Sequence, residues 1–194
     1  MVPLFARLKS GTEQQHQEIE TLIDPMKNFA SLEAYKAHLL KTWTFYRPLE
    51  ANLAALDWNA VGIDFVSRRK APLLEEDMRF LGVPHSPTEE RKQPLDRINL
   101  DFALGCLYVL EGATLGGQII SRHLAKLGIE PENGGRFFNG YGPKTGEMWK
   151  SFQTSATNYC VAEAQIEQAV MGARATFTSF AESMAGKGLI AHGP

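Results

Sequence analysis

The sequence predicts an all-α protein, and three observations predict it. Apolar residues recur at spacings of three and four nearly throughout the chain. No stretch alternates apolar and polar residues long enough to read as a strand. Gly and Pro clusters fall at the joints between periodic segments, as at Gly82-Val83-Pro84, Gly128 and Gly134–Pro143.

The first helix is expected from Pro3, a residue suited to a first turn, to Ile23. Its apolar stripe is Leu4, Leu8, Thr12, His16, Ile19 and Ile23, so a histidine sits on the core-facing side. Ser31 is the expected N-cap of a second helix carrying Leu32, Tyr35, Leu39, Trp43, Tyr46, Leu53 and Leu56, with Pro48 bending it. A third helical region, Asp64 to Leu81, carries Phe65, Leu73, Leu74, Met78 and Leu81. Pro72 is expected to interrupt it, and Gly82 and Pro84 to end it. Gly82 to Asp96, rich in proline and charge, reads as a surface connection. The longest helix is expected from Asn99 to Leu127, closed by Gly128. After a glycine-rich loop, Thr145 caps a fifth helix with Met148, Trp149, Phe152 and Tyr159. A sixth carries Ile166, Val170, Phe177, Phe180 and Met184, and the tail from Gly186 is expected to fray.

A chain of 194 residues suits one domain, 1–194, with a core that needs no staples. A net charge of −2 provides no basic field for nucleic acid. Cys106 and Cys160 lie in apolar helical patterns, without zinc spacing or a disulfide framework. The first residues lack the apolar run of a signal peptide, and no long uncharged run reads as a membrane span. The expected compartment is the cytoplasm. HExxH, GxSxG and phosphate-loop motifs are missing, which argues against zinc hydrolases, α/β-hydrolases and P-loop enzymes.

Two features point to chemistry. The run Tyr108-Val109-Leu110-Glu111-Gly112-Ala113-Thr114-Leu115-Gly116-Gly117-Gln118 places three glycines in a helix interior. Each costs roughly 1 kcal/mol relative to alanine. Gly112 and Gly116 are one turn apart and bare a strip of backbone, which serves either tight helix packing or the approach of a flat ligand. The pair Gly116-Gly117 also permits a kink. The second feature is His16 with Glu20 one turn on. A neutral imidazole binds a metal through one nitrogen while a carboxylate holds the other. The alternative is a partly exposed or hydrogen-bonded histidine without a ligand. Phe137, Phe138 and Phe177 read as core residues on composition alone.

These segments together resemble the heme oxygenase family, in particular its bacterial, biliverdin-forming members of the phytochrome-associated type. Leu8-Lys9-x-x-Thr12-x-x-x-His16-x-x-x-Glu20 resembles the proximal helix. The resemblance implies that His16 ligates the iron of heme b, that Lys9 and Thr12 meet the heme edge and propionates, and that Glu20 neighbours the ligand. Gly112-x-x-x-Gly116-Gly117-Gln118 resembles the kinked distal helix, whose glycines lie over the heme. Phe137 and Phe138 resemble a pocket-lining aromatic pair, Arg174-Ala-Thr-Phe177 a final-helix motif with Phe177 beside the heme, and Lys150 a loosely matched partner for a propionate. The likeness runs over residues 4–185 in order. It departs at Ala113, where many members carry an aspartate that orders water near bound oxygen.

What the resemblance implies is a heme oxygenase. It cleaves heme, both cofactor and substrate, with O2 and external electrons into biliverdin, carbon monoxide and ferrous iron. Electrons come from a reductase or ferredoxin, since the chain carries no flavin or nicotinamide fingerprint. Arg68, Arg69, Lys70, Arg122 and Lys126 are expected at the donor's docking face, scattered solvated charge being the alternative. A bilin-accepting bacterial phytochrome is an implied partner. Two other readings stand beside the oxygenase: a non-catalytic heme carrier or sensor, supported by Ala113, and a helical interaction protein whose glycines only pack.

Overall fold

The computed structural model describes residues 3–23, 29–85 and 98–186, and among them there is no strand. Eight helices follow in order: α1 (Leu4–Gly11), α2 (Glu13–Leu22), α3 (Leu32–Ala54), α4 (Ala71–Phe80), α5 (Leu100–Ala125), the single turn α6 (Arg136–Asn139), α7 (Thr145–Tyr159) and α8 (Glu163–Met184). Short 3-10 turns lie at Trp58–Val61, Val66–Arg68, Pro131–Asn133 and Gly142–Lys144.

Most boundaries follow local chemistry. Ser31 Oγ accepts from the Ala34 amide, so it caps its helix as read from the sequence, and Asn99 Oδ1 accepts from the Phe102 amide at the expected start of the longest helix. Gly128, with φ +74°, turns the chain after α5. Three expectations are corrected. The first helix is two, because Thr12 leaves helical geometry at φ −123°, ψ 11° and its hydroxyl turns back to the Leu8 carbonyl at 2.7 Å. Pro72 opens α4 instead of interrupting a helix, since its missing N–H falls in a first turn that needs none. Thr145 is the first residue of α7, and its hydroxyl donates to the Gly142 carbonyl. Of the connection expected over Gly82–Asp96, residues 86–96 lie outside the described residues, as does the tail from 187.

Two helix starts lack a side-chain cap of their own and borrow one from a distance. Glu50 on α3 accepts from the Lys70 and Ala71 amides at the head of α4. Asp77 on α4 accepts from the Arg136 and Phe137 amides, at 2.9 and 2.8 Å, at the head of α6. Each buried carboxylate satisfies donors the helix cannot satisfy itself. Burial pushes the Asp77 carboxyl up to about 6, against the opposing pull of those two amides.

α5 and α8 form the centre. They approach closely because Gly105 and Gly172 carry no side chain. A Cβ on Gly105 would stand 1.8 Å from the Ala169 carbonyl oxygen, and one on Gly172 would stand 2.0 Å from that of Phe102. α5 alone among the described helices is long and apolar enough to cross a membrane, and 56% of that apolar window is buried inside the fold. α8 also packs against α1, α2 and α3.

His38, on α3, is 4% exposed between Phe29 and Phe138, and its Nδ1 has no hydrogen-bond partner. Burial, aided by the Lys41 charge, pulls its imidazole down to about 4. A group whose folded value lies below its unfolded one stabilises fully above about 6.5 and loses that contribution as pH falls towards 4. Between pH 7.5 and pH 5 the parent should therefore lose about 2 kcal/mol that His38→Leu keeps. Urea unfolding of both proteins at the two pH values checks it, and parallel losses would disprove the assignment.

Candidate active site

α2 is unusual for a helix within a fold, because none of its residues is buried. Its predicted stripe is uncovered: Ile19 is half-buried, and His16 keeps 57% of its side chain exposed. The Glu20 carboxylate stands 3.4 Å from His16 Nδ1, which leaves Nε2 free to bind. Phe177 on α8 meets the imidazole edge-on, with centroids 5.8 Å apart. His16, Glu20 and Phe177 are thus brought together. Among the described residues no cluster of His, Cys, Asp and Glu could hold a free metal ion.

α5 supplies the second wall. A Cβ on Gly112 or on Gly116 would meet nothing within 4 Å. Both glycines therefore border open space, with exposed Ala113, Leu115 and Ile119 around them. Gly117 differs. A Cβ there would come within 2.9 Å of the Phe138 carbonyl oxygen, so this glycine is spent on packing. The choice between packing and a ligand strip is thereby divided by position: Gly105, Gly117 and Gly172 pack, while Gly112 and Gly116 keep a surface bare. An exposed imidazole on one element and bared backbone on another fit a flat macrocycle with an iron centre.

Burial pushes the Tyr108 phenol above its ordinary range, against an opposing pull from Thr12. His16 lies one turn past Thr12 along α2, and Gly112 one turn past Tyr108 along α5. Thr12 itself is 2% exposed and belongs to this seam. Lys9 and Lys150 are exposed. Phe138 is buried with Phe29, Tyr35 and His38, and Phe137 meets Tyr46 edge-on at 5.2 Å.

Arg68 and Lys70 do not form an exposed docking face. Arg68 Nη1 lies 2.6 Å and Lys70 Nζ 3.3 Å from the carboxylate of Glu111, and all three side chains are at most 5% exposed. Burial pulls the Lys70 ammonium down while Glu111 pushes it up. Tyr141 donates to Glu111 at 2.6 Å and accepts from Lys70 at 2.7 Å; burial and the Glu111 charge push its phenol well above the ordinary range. Sequence reasoning assigned this cluster no role. Its one signal was a lone carboxylate inside an apolar helix.

The family model for heme oxygenase matches residues 2–185. The chain is 25% identical over 176 residues to heme oxygenase PigA of Pseudomonas aeruginosa, covering 91% of this chain and 88% of that protein. It is 31% identical over 126 residues to a heme oxygenase of Xanthomonas campestris pv. campestris, covering 64% and 73%. Among solved structures it is similar to the NO- and CO-bound heme oxygenase of Neisseria meningitidis, with a TM-score of 0.84 at 22% identity, covering 100% of this chain and 96% of that one. The heme oxygenase of Leptospira interrogans gives 0.74 at 17% identity, covering 95% and 100%.

Proposed function

Since this chain belongs to the heme oxygenase family, we propose that it opens the ring of heme at a site built from α2, α5 and α8, all within one domain spanning 1–194. The reaction consumes O2 and external electrons and yields biliverdin, carbon monoxide and ferrous iron. Heme supplies the iron where oxygen is reduced and the ring that is broken. The protein's residues bind, orient and exclude.

The observation that carries this reading is the pairing of an exposed imidazole with a bared helix strip at Gly112 and Gly116. His16 Nε2 would hold the iron of heme, and Glu20 would fix the tautomer by holding the proton on Nδ1. Phe177 limits tilting of the imidazole. Gly112 and Gly116 would leave room for the ring and a small diatomic gas, since no side chain takes that space. Lys9 and Lys150, exposed cations, are propionate partners. Thr12 and Gly117 support the two walls from behind, and Phe137 and Phe138 brace the distal helix.

The donor is a reductase or ferredoxin; of the five docking cations Arg68 and Lys70 are buried, Arg69 is half-buried beside Glu50, and Arg122 and Lys126 are exposed. The setting is cytoplasmic, and a bacterial phytochrome is a suitable acceptor of the bilin. Ala113 favours a second reading, a heme carrier or sensor without turnover, because an alanine cannot order water at that position. The oxygenase reading expects water to be held there by other groups, so that Ala113 does not abolish ring opening.

One assay separates the two. The heme complex, given a reductase or ascorbate in air with catalase present, should lose its Soret band while a red biliverdin band grows and carbon monoxide is released. Catalase removes free peroxide, which degrades heme unaided. Stable cycling between ferric and oxygen-bound forms, or bleaching without bilin, would hand the case to the carrier.

A further inference from the structure

The distal segment of α5 has a bare front and a clamped back. Its front is Gly112 and Gly116. Its back is tied at four successive points to one stretch of chain, Phe138 to Tyr141. Glu111 accepts from the Tyr141 hydroxyl. Thr114 lies against Gly140, where a Cβ would come within 3.7 Å of the threonine Cβ. Gly117 meets the Phe138 carbonyl, and Gln118 Nε2 donates to the Asn139 carbonyl at 2.9 Å. Glu111 adds ties to Arg68 and Lys70, and Arg68 reaches the Met148 carbonyl on α7 at 3.2 Å. Lys70 Nζ also lies 4.1 Å from the Tyr141 ring centroid.

Resting on the heme-oxygenase reading, we propose that Glu111 is a positioning residue: its buried ties to Arg68, Lys70 and Tyr141 set the rotation of α5 about its axis, and so decide which edge of the heme faces the glycine strip. The physical reason is the cost of any other rotation. Turning the helix by one residue, about 100°, would pull the carboxylate from both cations. It would leave unpaired charge in a dry interior. An apolar side chain at 111 would tolerate such slippage, because apolar contacts have no direction. Gly112 and Gly116 contribute no side-chain interlocking of their own, so the 111–118 segment depends on its back face for register beyond the contact of Gly105 with α8.

Two variants test it. Glu111→Gln removes the charge with little change of shape, and Tyr141→Phe removes one hydroxyl without burying an unpaired charge. Each is loaded with heme and turned over, and the biliverdin isomers are separated. The ferric absorbance, the heme affinity and the amide exchange of residues 111–118 in the heme-free protein are measured alongside. The expected result is a changed isomer ratio in both variants, larger for Glu111→Gln. Faster exchange over 111–118 and heme affinity roughly tenfold weaker should accompany it. If Glu111→Gln does not fold, Tyr141→Phe alone decides. A folded variant with lower thermal stability but the parent's isomer ratio and spectrum would reduce Glu111 to a stability element and overturn the proposal. Failure of the parent itself to form bilin would instead overturn the heme-oxygenase reading, and appears in the parent before any variant is made.

Discussion

His16→Ala is expected to yield a folded protein whose heme complex has lost its histidine signature. The fold should hardly notice the change. No residue of α2 is buried and His16 keeps 57% of its side chain exposed, so the stability cost should stay within about 0.5 kcal/mol. The heme should notice strongly. Losing an outer-shell partner of a metal ligand typically costs about 10–100-fold in affinity or activity, and losing the ligand itself should cost at least as much. Added imidazole should restore part of the parent's ferric spectrum by filling the vacated volume. Titration with ferric heme, with and without imidazole, measures both. His38→Ala is the matched control: His38 is 4% exposed and packed between Phe29 and Phe138. If His38→Ala removed the histidine signature and His16→Ala left it intact, the ligand would be His38.

The glycines should split into two classes under substitution. Gly105→Ala and Gly172→Ala should each cost upwards of about 4 kcal/mol or prevent folding, since a methyl group would meet backbone oxygen at 1.8 and 2.0 Å. Backbone on a helix of 26 residues cannot step aside as a side-chain end can. Gly116→Ala should do the reverse in the heme-free protein, with a gain of up to about 1 kcal/mol from helix propensity, because nothing lies within 4 Å of its Cβ. Gly116→Leu fills that space, and should impair heme uptake or oxygen binding while the melting temperature stays near the parent's. Melting curves of the heme-free variants, set beside heme titrations, read the two effects separately. Parent-like turnover in Gly116→Leu would show that heme and oxygen do not use the space beside Gly116.

Much of this was legible in residue order. Helical periodicity gave the all-α class, and Ser31, Asn99 and Gly128 marked boundaries by local hydrogen bonding and backbone freedom alone. His16 with Glu20, and Gly112 with Gly116, announced themselves because both partners of each pair lie one turn apart on the same helix. Where the deciding partner was distant, the sequence was silent or misled. Pro72 looked like a break within a helix, since nothing nearby showed that Glu50, some twenty residues earlier, would cap a helix start there. Arg68 and Lys70 looked like surface charge because their carboxylate lies on another helix.

By itself, then, the sequence determined what depends on near neighbours: the helices, their polar ends, the pairing of an imidazole with an acidic companion one turn on, and the presence of glycines that a helix keeps only for a reason. Tertiary structure alone decided what each glycine is for. Gly105, Gly116, Gly117 and Gly172 are chemically identical, and only the atoms opposite them divide backbone contact from open space. It decided equally that the carboxylate of Glu111 faces inward to two cations while the neighbouring Gly112 faces out. A residue's own chemistry fixes what it is able to bind, and the packing of distant segments fixes what it meets.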